Sequence, residues 1–68
     1  MKNLEEINEA LIALLHSLDC RKEPMMIILS LLTTEKDLKT MIQWIVNHQK
    51  ATEEELISIA EKIKEKNS

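Results

Sequence analysis

Thr34-Glu35-Lys36-Asp37-Leu38-Lys39-Thr40-Met41-Ile42-Gln43-Trp44-Ile45-Val46 is the stretch that decides the fold. Leu38, Met41, Ile42, Ile45 and Val46 recur at i, i+3, i+4, i+7 and i+8, which a helix turning about 100° per residue gathers into one apolar stripe. A strand would scatter the same residues over both of its faces. Thr34 stands where an N-cap hydroxyl accepts from the amide three residues on, and Asp37 takes the place of the usual Glu in a capping box. The spacing predicts a helix over residues 35–48.

The pattern returns after Thr52. Thr52-Glu53-Glu54-Glu55 is a capping box, and Leu56, Ile59, Ala60 and Ile63 form a second stripe. Acids crowd its first turn and Lys62, Lys64 and Lys66 its last, as the helix macrodipole favours. This helix is expected over residues 53–66. Two capped amphipathic helices of one length look alike, and a solenoid needs at least three repeats. Toward the N-terminus, Leu4, Ile7, Leu11, Leu14 and Leu18 alternate steps of three and four, which predicts a helix over residues 3–19. Between these helices, Pro24 suits a first helical turn. From residue 25 to residue 32 only Ser30 is polar, and such a segment calls for burial on all sides. A lone strand would find no partner in this chain, so residues 24–32 are expected to form a short central helix. The fold class is all-α: a single domain over residues 1–68, a bundle of four short helices completed by dimerisation.

Composition bounds the function. The chain has 68 residues and no Gly, so phosphate-binding loops, dinucleotide fingerprints and Asn-Gly hairpins are absent. Below roughly 70–80 residues one core supplies only about 3–5 kcal/mol. The usual C′ glycine is missing from every helix end. Ends are therefore expected near Asp19, Thr33 and residues 47–50, with Asn47 as the best left-handed substitute. The net charge is −3, without the basic surplus of a nucleic-acid binder. One Cys excludes an internal disulfide. Glu5 and Glu6 fall where a signal peptide would run apolar, so a cytoplasmic protein is expected. The run over residues 25–32 is too short to cross a bilayer, which needs about 20 residues. Usage of Lys, Ile, Glu and Asn matches many small proteins of AT-rich bacteria and their mobile elements, phage included.

Few side chains suggest chemistry. His16 and Cys20 lie four apart on one helix face, and both are zinc-ligand types. They point away from the leucine stripe toward solvent, and only His48 could add a third ligand, so no metal site is expected. Arg21 and Lys22 beside Cys20 favour a thiolate. A nucleophile also needs a base and a pocket, for which there is little room. No catalytic residue and no cofactor are expected. Ser17-Leu18 matches part of an acyl-carrier attachment motif, but His16 stands where that motif has Asp.

The functional expectation rests on surplus apolar surface. Three short helices cannot cover the segment after Pro24 and also the flanks at Ile12, Trp44 and Ile57 in so small a monomer. A two-fold homodimer is the expected remedy. Trp44 and His48, four apart, can touch, and Trp is enriched in binding hot spots. The interface candidates are Ile12, Met25, Met26, Met41, Trp44, His48 and Ile57. The function expected is a small non-enzymatic protein–protein interaction module, a regulator, adaptor or inhibitor. Its partners would be a second copy and another protein, and no membrane. The alternative is a helix-turn-helix DNA-binding regulator with residues 35–48 as recognition helix. Lys36, Lys39, Gln43, Asn47 and Lys50 would then contact DNA, against which the acidic balance argues.

Overall fold

Local signals place four helices in a computed structural model that describes residues 4–66: α1 (Leu4–Ser17), α2 (Lys22–Leu31), α3 (Glu35–Asn47) and α4 (Glu53–Lys66). The described residues include no strand. Both threonine caps form. Thr34 Oγ1 accepts the Asp37 amide at 3.2 Å and Thr52 Oγ1 accepts the Glu55 amide at 3.2 Å. The Thr52 hydroxyl also donates to Glu55 Oε1 at 3.3 Å.

Two boundaries differ from the sequence expectation by two residues, each for a physical reason. Helix α2 starts two residues before Pro24, with Arg21 as its N-cap. The first turn has no intrahelical acceptors for its amides, so proline is tolerated at the third helical position as well as the first. Helix α1 ends at Ser17 rather than near 19, because the chain reverses over Leu18, Asp19 and Cys20. The Cys20 amide donates to Leu15 O at 3.0 Å and the Asp19 amide to His16 O at 3.0 Å. Asp19 has φ of 59°. This is a Schellman motif with Asp in the left-handed position that glycine normally fills. Asn47, the expected substitute, stays inside α3, and His48 ends that helix at φ −138°. Helix α2 stops at Leu32, whose amide returns to Ile28 O at 3.1 Å.

Helix α1 packs along α3 and α2 along α4, while α3 touches α4 and α1 only brushes α2. The core lies between these two pairs. Leu11, Leu15, Ile28, Leu32, Leu38, Met41, Ile45 and Leu56 are its fully buried large side chains. The radius of gyration over Cα atoms is 10.7 Å, matching the roughly 10.9 Å of a closed domain of this length. One chain therefore closes its own core. Met25 and Met41, expected at an interface, are buried inside it. On the helical wheel Met41 lies at the edge of the α3 stripe opposite Val46, beside the buried Leu38 and Ile45. The all-apolar α2 is only partly covered: Met26 is 58% exposed and Ile27 46%.

Candidate protein-interaction surface

The α3 stripe is wider than its neighbours can cover. Leu38, Met41 and Ile45 are buried, while Ile42 is half-buried and Val46 is 51% exposed. On α1, Ala10 is exposed and Leu14 half-buried. Between the two helices runs a groove of about 430 Å³, lined by Ile7, Ala10, Ile42 and Val46 and edged by Lys39, Gln43 and Asn47. Lys39 Nζ sits 3.0 Å from Glu35 Oε1. The Asn47 amide nitrogen donates to Gln43 O at 3.1 Å. The groove therefore has an apolar floor and a rim without unbalanced charge at these positions.

The tryptophan edge is a different kind of place. Trp44 is half-buried against the core, and so are Ile12 and Ile57. Its ring stacks on His48, with centroids 4.2 Å apart and planes 8° from parallel. His48 Nδ1 lies 2.8 Å from Trp44 O. A carbonyl only accepts, so Nδ1 carries the proton and donates. The His48 imidazole thus covers one face of the half-buried indole. Of the expected interface residues, Met26 and His48 are exposed, and they lie on α2 and at the end of α3, on helices whose backbones make no close approach.

The residues expected to read DNA are on the surface, but α2 rests on α4 and makes no close approach to α3. A helix-turn-helix needs those two consecutive helices packed as a pair. Asn47 is engaged by its own helix and Lys39 by Glu35. His16 and Cys20 are not brought together as ligands, because α1 ends between them. His16 is exposed, and Cys20, expected at the surface, is buried beneath the α1–α2 corner. Burial pushes the Cys20 thiol above its ordinary pKa, Glu53 pushes it further, and Arg21 pulls the other way. No three His, Cys, Asp or Glu among the described residues are grouped to hold a metal ion. None of the helices described is long and apolar enough to cross a membrane.

Sequence reasoning assigned Ile42 and Val46 to the core and missed the groove. The signal was the width of the stripe. Val46 stands about 80° from Leu38 on the helical wheel, on the side away from Met41, so a core centred near Ile45 cannot reach it. Compared with protein-family models, with curated proteins and with solved structures, the chain matches none of them.

Proposed function

We propose that this protein is a non-enzymatic interaction module that pairs through the α1–α3 groove with a second copy of itself. The observation that supports the reading is the groove's apolar floor with Val46 half out of it. Burying such surface is favourable at about 25 cal/mol per Å². Charge permits a second copy as the occupant. A chain of net charge −3 meets its own kind best over a patch where like charges do not face one another. The groove is such a patch: Lys39 is neutralised by Glu35, and Ala10, Gln43 and Asn47 are uncharged. A two-fold axis through it lays α3 of each copy along the α1 edge of the other. The small Ala10 then makes room for the partner's Val46.

The seam is small. Pairing over so short a groove is expected to be weak, with a dissociation constant roughly ten to a hundred micromolar. The test is sedimentation over a concentration series reaching several hundred micromolar, with Val46→Glu as the comparison. The expected result is a monomer–dimer equilibrium for the natural chain. The variant should be a monomer with unchanged helicity, since Val46 is already half in water. A natural chain that stays monomeric throughout, or a Val46→Glu variant that still pairs, overturns the reading.

A further inference from the structure

The corner between α1 and α2 lies away from the groove and carries a long-range interaction that the proposed pairing does not use. Helix α2 has no cap of its own. Arg21 occupies the N-cap position in extended backbone, and its side chain caps nothing. Pro24 removes one first-turn amide, which leaves those of Arg21, Lys22 and Glu23. The acceptor comes from far along the chain. Glu53, at the start of α4, takes the Arg21 amide on Oε2 at 2.6 Å. The same carboxylate accepts from Arg21 Nε at 3.3 and 3.4 Å and from Nη2 at 3.2 Å. Hydrogen bonds to an ionised acceptor are about twice as strong as neutral ones. One carboxylate thus ties the first turn of α4 to the first turn of α2.

Between α1 and α2 themselves few contacts hold that corner, whereas α2 is packed along α4 and makes no close backbone approach to α3. Asp19 sits in the left-handed region. The Arg21 side chain is 81% exposed and that of Glu53 27% exposed, so water and salt reach the pair. Directly behind it Cys20 is 6% exposed, in the core cluster with Leu15.

We propose that the Arg21–Glu53 pair is a latch that closes the α1–α2 corner over Cys20, and that its release opens the corner as a local unit while the rest of the bundle stays folded. The thiol reports the two states. With the latch closed, Cys20 is shielded and faces the Glu53 carboxylate, so the neutral, unreactive thiol is favoured. In the open corner it lies in water beside Arg21 and Lys22, two cations that favour the nucleophilic thiolate. The latch therefore sets how fast a single buried thiol can react.

The test is the rate at which a small aromatic disulfide reagent labels Cys20, measured at one fixed pH with no urea or very little. Glu53→Gln is expected to label about tenfold faster than the natural chain, as weakening a local opening barrier predicts. Glu54→Gln, one residue on and exposed, is expected to label at the natural rate. Moderate salt should speed labelling of the natural chain by screening the pair. All these rates should stay flat with low urea, because local opening exposes little surface. Equal rates for Glu53→Gln and the natural chain overturn the proposal. So does a urea slope as steep as that of global unfolding, which would mean that the thiol is reached only by complete unfolding. If Glu53→Gln does not fold, the salt series on the natural chain decides: labelling unmoved by salt refutes the latch.

Discussion

Replacing Asp19 with glycine should make this protein more stable, and the structure sets the size of the effect. Asp19 holds φ of 59°, where a side chain with a Cβ costs about 1–2 kcal/mol, Asp and Asn lying at the mild end. Its carboxylate comes directly after the last turn of α1, whose free carbonyls form the negative end of the helix dipole. That placement costs roughly 0.3–1 kcal/mol. Glycine removes both terms and gives back about 0.5–1 kcal/mol through the extra freedom of the unfolded chain. The net gain is about 1 kcal/mol. Asparagine removes only the charge and should gain about 0.5 kcal/mol. Valine is β-branched and tolerates positive φ worst, so it should lose about 1–2 kcal/mol.

The ranking Gly, Asn, Asp, Val is sharper than any single value, because the four variants share one backbone site and no core contact. Urea melts followed by far-UV circular dichroism measure it, with the slope on urea held constant to show that all four unfold between the same two states. In thermal melts each 1 kcal/mol should move the midpoint by about 4–8 °C in a chain of this size. A glycine variant no more stable than the natural chain, or a valine variant equal to it, would show that Asp19 is not held left-handed. The Schellman reading of the corner would then fail.

Other perturbations separate the core, the caps and the surface. Leu11→Ala empties a fully buried site and should cost about 2–5 kcal/mol. That is most of the stability available to a core this small, so far-UV dichroism should already show substantial unfolding at room temperature. Met26→Lys, on an exposed position of α2, should change the stability read from urea melts by less than about 0.5 kcal/mol. Thr34→Ala removes the acceptor for the Asp37 amide and should cost about 1 kcal/mol in the same melts. Trp44→Ala should keep the helical signal but cost about 2 kcal/mol, roughly half the loss for a fully buried Trp. The Arg21 amide first, and then its guanidinium, hold the Glu53 carboxyl below the ordinary carboxylate pKa. A lowered folded-state pKa contributes stability that is fully present above the unfolded value and fades as pH falls through the folded one. The stability gap between the natural chain and Glu53→Gln should therefore be largest near neutrality and close in acid, as paired melts across that range would record.

The range over which each force acts decides how much of the fold could be read from the sequence. Thr34 and Thr52 announce their helices because a cap is local: hydroxyl and amide lie three residues apart, and both bonds form as spaced. The stripes of α1, α3 and α4 were legible for the same reason, since period and propensity act within a few turns. Helix ends were harder. Without glycine the left-handed stop fell to Asp19 instead of Asn47, and the neighbouring residues set the difference. Cys20 can turn inward against Leu15, whereas the residues after Asn47 are His48, Gln49 and Lys50, with nothing to bury. The Glu53 cap on α2 lay beyond reach, because its partner stands on another helix and no local rule pairs residues 21 and 53.

The surface was the least legible part, and the closure of the core explains why. Met25 and Met26 are expected at an interface because three short helices cannot cover all of α2, and Met26 and Ile27 do stay exposed. The single chain covers Met25, Ile28 and Leu32 by itself, so whatever is left for a partner is what the stripes fail to bury rather than what they contain. Such remainders sit at stripe edges, where tens of degrees on a helical wheel decide between core and surface: Ile45 is inside and Val46 half out. Association and folding should consequently respond to different residues. Val46→Glu should abolish pairing while leaving the melting midpoint of the dilute monomer in place, and Leu11→Ala should unfold the monomer whether or not it pairs. A Val46→Glu variant whose dilute melting midpoint fell by as much as that of Leu11→Ala would place Val46 in the core. It would leave the α1–α3 groove without the surface that a second copy needs.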